Sequence, residues 1–104
     1  MAEVKTQPVV AQRFEDIDDV QIPGAFEYYR SGDRYPAGMI YSCPCGCGAR
    51  GALRFRPVEP AHPSWEWNGN LDKPVLHPSV HHVGHWHGWL GGPNGEQPGV
   101  WKSC

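Results

Sequence analysis

Residues 39–56 read Met-Ile-Tyr-Ser-Cys-Pro-Cys-Gly-Cys-Gly-Ala-Arg-Gly-Ala-Leu-Arg-Phe-Arg, two β-prone runs around a turn that carries three cysteines. Met39 to Cys43 has strand composition and runs into the turn. Gly46, Gly48 and Gly51 supply the conformational freedom to reverse the chain. Leu53-Arg54-Phe55-Arg56-Pro57-Val58 then alternates apolar and basic residues, as a half-buried strand does. The result is a hairpin with Cys43, Cys45 and Cys47 at its tip. Cysteines two apart are poorly placed to bridge one another, since a disulfide needs Cα atoms about 4.4–6.8 Å apart with converging Cβ vectors. Thiolates packed this densely suit a borderline-soft cation such as Zn2+.

Working outward, β signals continue on the C-terminal side. Trp65-Glu66-Trp67 reads as a third strand closed by the Asn68-Gly69 turn. Val80 to Leu90 reads as one arm of a second hairpin, with His81, Val83, His85, His87 and Trp89 of one parity. Residues 91–99 form its loop, and Val100 to Cys104 the return. Pairing inward from that loop sets Leu90 near Val100 or Trp101, and Cys104 beside Trp86 or His87. The expected ligands are therefore two of Cys43, Cys45 and Cys47, with Cys104 and either His87 or His85. Four protein ligands would make a closed site, and closed zinc sites are usually structural.

On the N-terminal side, Val9 to Ile22 is the longest window free of Gly and Pro. Val10, Phe14 and Ile17 recur at helical spacing against Glu15, Asp16, Asp18 and Asp19, so a short helix competes with an extended arm. The expected architecture is mainly β: an N-terminal extended or short helical arm, residues 1–35, and a small zinc-stabilised domain of β-hairpins, residues 36–104. The arm's apolar residues and its acidic run together suit a groove on another subunit.

The chain has 104 residues, a formal charge of −2, five Trp and four Tyr. Leu, Ile, Val and Phe are too few to fill a core alone, so the large aromatics must be part of it, each burying about 150–250 Å². A stacking platform of Trp65, Trp67, Trp86, Trp89 and Trp101 is the alternative use of these rings. The mild acidity argues against nucleic acid, whose binders present a basic face. No apolar run follows a basic N-terminal segment, and none reaches the about 18 residues of a membrane span, so neither export by a signal peptide nor membrane insertion is expected.

Other motifs are weak. Gly46-Cys47-Gly48-Ala49-Arg50-Gly51 matches a phosphate-loop pattern, but a strand follows it where a helix is needed. HExxH and GxSxG are absent. His62, His77, His81 and His82 could form a second, open site, although surface or hydrogen-bonding roles explain them as well.

The segments CPCGCG, WEWNGNLDKPVLHPSV, HWHGWL and VWKSC resemble a family of small phage and prophage proteins, some of which carry the label ammonia monooxygenase. The resemblance covers residues 39–104. Val75 stands where threonine is usual, Val80 where isoleucine is usual, and Trp86 where a cysteine precedes the histidine. It implies a zinc-binding β domain without an assigned activity. The expected role is a module acting by protein–protein contact, a virion (capsid, neck or tail) component partnered by other virion subunits. It would then sit in the virion or the host cytoplasm. The alternatives are a zinc-dependent hydrolase built on His81, His82 and His85, and an inhibitor of a host defence protein.

Overall fold

The structure, a computed structural model, describes residues 4–57 and 63–104. Val58 of the expected second strand and His62 of the possible second site lie outside them. Among the described residues nine strands form three antiparallel sheets and there is no helix: β1 Val9–Val10, β2 Phe26–Ser31, β3 Arg34–Ser42, β4 Arg50–Arg54, β5 Glu66–Trp67, β6 Leu76–His77, β7 Val80–His82, β8 Trp86–Leu90 and β9 Val100–Ser103. One sheet has the order β1-β9-β8-β7, the second β2-β3-β4, and β5 pairs with β6.

The cysteine hairpin is β3–β4. Tyr41 faces Gly51 and Ser42 faces Arg50 across it, so Gly51 belongs to the strand and not to the turn. There it is required by packing, because a Cβ would stand about 2.5 Å from the Tyr41 ring. Phe55 and Trp65 make an isolated parallel bridge that carries the chain from β4 to β5.

Val80 to Leu90 is not one strand. It doubles back after His82 through Gly84, whose φ of +80° a side chain rarely adopts, and His85 N–H donates to the His82 carbonyl (2.9 Å). This corrects the single-parity reading of His81, Val83, His85, His87 and Trp89. The C-terminal return is as expected, with Leu90 opposite Trp101 and the Cys104 N–H on the His87 carbonyl at 3.0 Å.

The aromatics do fill the core. Trp86 and Trp101 are fully buried and meet edge to face at 5.8 Å, among Phe26, Met39, Phe55, Leu76, Val80 and Leu90. Both of these indole N–H groups have an acceptor: Trp101 donates to the Gly24 carbonyl at 2.9 Å and Trp86 to Thr6 Oγ1 at 3.2 Å. An orphaned donor there would cost about 1–3 kcal/mol.

The N-terminal segment adopts the extended alternative and is woven into the body. β1 pairs with β9, Phe14 N–H donates to the Phe26 carbonyl, and Phe26 N–H donates to the Gln12 carbonyl. Ile17 is completely buried, while Glu15, Asp16, Asp18 and Asp19 face solvent. Ile17 thus finds its apolar partners within the chain, while Val10 stays exposed. Ile17→Ala is accordingly expected to cost about 2–5 kcal/mol in urea unfolding, as core truncations do. A change below about 0.5 kcal/mol, the scale of surface substitutions, would show a segment that only docks elsewhere.

Candidate active site and cysteine cluster

Period-two alternation on β8 buries Trp86, Gly88 and Leu90 and leaves His87 and Trp89 on the opposite face. Gly88 is needed for this, since a Cβ there would run into the Lys102 carbonyl and the Trp86 ring. His87 faces His81 across the β7–β8 ladder, with the rings 4.5 Å apart and 32° from parallel. Just before β7, Ser79 places its Oγ 3.1 Å from His87 Nε2. The Ser79 carbonyl accepts the Trp65 indole N–H at 3.2 Å, which fixes the backbone of this residue against β5.

The chain has five serines. Ser42 is buried, Ser64 Oγ accepts from Arg56 Nε, and Ser103 Oγ contacts Thr6. Among the described residues Ser79 alone is hydrogen-bonded to a histidine. The distance falls in the about 2.6–3.2 Å range of a nucleophile and its base. With the imidazole proton on Nδ1, Nε2 is free to accept the Ser79 hydroxyl proton. Beside the pair, Val4, Lys5, His87 and Cys104 line a cleft of about 340 Å³. Both Ser79 and His87 are half-buried, so the pair is reachable from solvent.

The cysteines form a separate centre at the β3–β4 turn. Cys43 N–H donates to the Ala49 carbonyl (2.9 Å), Gly46 N–H donates to the Cys43 carbonyl (3.0 Å), and Gly46 and Gly48 both have a φ of 85°. This tight loop brings three thiols together. Cys43 Sγ and Cys45 Sγ are 3.3 Å apart, and the sulfurs of Cys43, Cys45 and Cys47 all lie within 4.8 Å of one another. All four cysteines are free thiols. Burial pushes the Cys43 thiol up to about 12, whereas the Ala49 N–H beside Cys47 Sγ (3.5 Å) favours its thiolate and lowers it. Three cysteine sulfurs at these separations can hold a metal ion.

Of the expected ligands, Cys43, Cys45 and Cys47 come together. His87 and Cys104 do not join that group: His87 Nε2 is turned to Ser79, and Cys104 lies beside His87 at the cleft. Hairpin geometry does bring Cys104 to His87, as expected. It does not bring that pair to the cysteine turn, because the reversal at Gly84 presents His85 there instead. His85 Nδ1 is 3.3 Å from Cys47 Sγ. The possible second histidine site is not assembled among the described residues. His77 Nε2 contacts the Pro93 carbonyl at 3.0 Å, His82 packs at a tilt against His85 with centroids 4.7 Å apart, and His81 lies beside His87. Burial, followed by the charge of His85, lowers the pKa of His82.

Sequence reasoning misses Ser79 because a serine nucleophile elbow is a strand–turn–helix pattern. This serine instead stands at the head of a strand, and its histidine arrives from the neighbouring strand. No local spacing signals that arrangement.

The model of a family described as bacterial ubiquitination-like system serine protease (BubE) matches residues 13–96, most of the chain. No curated protein and no solved structure matches.

Proposed function

The chain belongs to the BubE family of bacterial ubiquitination-like system serine proteases, and from that premise we propose that it is a serine protease with Ser79 as nucleophile and His87 as general base. The observation that carries this reading is the Ser79 Oγ–His87 Nε2 hydrogen bond of 3.1 Å beside an open cleft. Ser79 Oγ attacks the carbonyl carbon of the scissile bond while His87 Nε2 takes the hydroxyl proton. His87 then gives that proton to the leaving nitrogen as the carbon–nitrogen bond breaks, leaving an ester on Ser79. Water, deprotonated by His87 Nε2, attacks the ester carbonyl, and the imidazolium returns the proton to Ser79 Oγ as the acid product leaves. The His81 ring packs against the His87 imidazole, and Trp65 holds the Ser79 backbone.

The substrate class follows from the family description: a protein of a ubiquitination-like system, cleaved at a bond that reaches the cleft between Lys5 and Cys104. Contact with a protein partner, expected from the sequence, is retained in this form. No observation on the fold or the family match favours a virion component.

The second part of the reading is a structural Zn2+ at Cys43, Cys45 and Cys47. The donor set fits: three free sulfurs converge on one point, at the β3–β4 turn and not on the sheet that carries His87. When bound, zinc supplies a cross-link to the fold and takes no part in proton transfer at Ser79.

A fluorophosphonate probe, which phosphonylates activated serine hydroxyls, tests the protease reading. Wild-type protein should be labelled at Ser79, as located by peptide mass spectrometry, and His87→Ala should lose the label. Labelling at another serine, or none in folded protein, would overturn it.

A further inference from the structure

We propose that His85 Nδ1 is the fourth ligand of the cysteine metal site, and that the metal thereby clips the β3–β4 turn to the turn that leads into β8, the strand that carries His87. Tetrahedral zinc with bonds of about 2.3 Å to sulfur and about 2.0–2.1 Å to nitrogen sets ligand–ligand edges of about 3.8 Å between two sulfurs and about 3.5 Å between sulfur and nitrogen. Cys43 Sγ···Cys45 Sγ and Cys47 Sγ···His85 Nδ1, each 3.3 Å, lie within about half an ångström of those edges. The group whose ligand atoms all lie within 4.8 Å of one another holds the three sulfurs without His85, so the His85 ring must also draw in toward Cys43 and Cys45 when the ion binds.

The chain prepares His85 for this position. Its N–H closes the 82–85 turn on the His82 carbonyl, its own carbonyl accepts Val4 N–H at 2.9 Å, and its ring packs at a tilt against His82. Three thiolates alone would leave an open position. A fourth protein ligand closes the sphere, as in structural zinc centres built from three cysteines and one histidine. His77, His81 and His87 are engaged with Pro93, with one another, or with Ser79, and of the described histidines His85 is the one with a ring nitrogen on a cysteine sulfur.

The consequence lies in the topology. Cys43, Cys45 and Cys47 belong to the turn of the β2-β3-β4 sheet, whereas His85 immediately precedes β8 of the other sheet, two residues before His87. The metal would therefore join the two sheets at the root of the strand that sets the His87 imidazole. The ligand assignment is independent of the protease reading, whereas its effect on Ser79 rests on that reading.

Cobalt(II) is the probe, since its thiolate charge-transfer and ligand-field bands report donor set and geometry. Zinc-free protein titrated with Co2+ should bind one equivalent and give the tetrahedral spectrum of three thiolates and one imidazole. His85→Ala should weaken Co2+ binding by at least about 100-fold or lose the tetrahedral bands, because the closed sphere is lost. His85→Cys should restore tight binding, with the stronger charge-transfer band of four thiolates. His87→Ala and Cys104→Ala should leave the spectrum unchanged. An unaltered spectrum and affinity in His85→Ala, or a change in Cys104→Ala, would overturn the assignment. Fluorophosphonate labelling of the same proteins tests the clip. Slower labelling of Ser79 in metal-poor His85→Ala, restored in metal-loaded His85→Cys, supports it, and unchanged labelling overturns it. Wild-type protein that binds cobalt through three thiolates and one imidazole but does not label would sink the protease reading and the clip while leaving the ligand set standing.

Discussion

Ser79→Ala is expected to lower the rate of substrate cleavage by at least about 10³-fold, with little change in thermal stability. Removing the nucleophile of a serine protease abolishes the covalent route, and what remains comes from substrate binding and polar stabilisation of the transition state. The hydroxyl belongs to a half-exposed residue and its partner is His87 Nε2, so deleting one oxygen opens no cavity in the core. His87→Ala should cost a similar factor, and the double variant little more, because two residues that act as one unit lose their effect together. Steady-state cleavage of a ubiquitin-like fusion, with melting curves alongside, checks this. If Ser79→Ala retains more than about a tenth of the rate, the nucleophile lies elsewhere. Additive losses in the double variant would show that the two residues do not work as a pair.

Removing the metal is expected to have an effect of comparable size on folding. Structural zinc contributes an apparent free energy of about 10–16 kcal/mol in small domains at neutral pH, against a net stability of about 5–15 kcal/mol for a whole domain. Few aliphatic side chains back up the aromatic core, so little else compensates for a lost cross-link. Chelation, or Cys43→Ala, should therefore abolish cooperative unfolding or lower the melting temperature sharply, read by near-ultraviolet circular dichroism from the tryptophans. A metal-free protein with an unchanged cooperative transition would remove zinc from the account.

The pH dependence of metal binding has a definite sign. Each thiol must lose its proton to bind, so zinc affinity falls as pH is lowered. Without metal the direction reverses for Cys43. Its folded-state value is raised to about 12 from 9.0, so the contribution to stability is complete below pH 9 and is lost as pH rises toward 12.

Much of the fold can be read locally. Met39 to Cys43 and Leu53 to Phe55 declare strands through composition and alternation, and the glycines between them declare a reversal. Counting inward along a hairpin narrows the partner of Leu90 to Val100 or Trp101, and the register selects Trp101. These features depend on intervals of two residues and on turn chemistry, which a linear chain displays openly.

The N-terminal segment is harder. Its apolar and acidic residues are compatible with a helix, a free arm or an inter-subunit strand, and nothing local separates them. Burial of Ile17 and the β1–β9 pairing decide the matter, and both involve partners far along the chain. The aromatic residues divide in the same way. Composition requires that some of them be buried, but only packing selects Trp86 and Trp101.

By itself, then, the sequence determined a small β protein with an aromatic core and a three-thiol turn suited to a metal. The tertiary structure alone decided which histidine goes where. A single reversal at Gly84 splits the expected arm in two, turning His85 toward Cys47 and His87 toward Ser79. The physical reason is that a β-turn changes the direction of every later side chain at almost no compositional cost. Val83-Gly84 is a weak turn signal in a stretch rich in strand-forming residues, and the cross-strand partner of Ser79 exists only once that turn has closed.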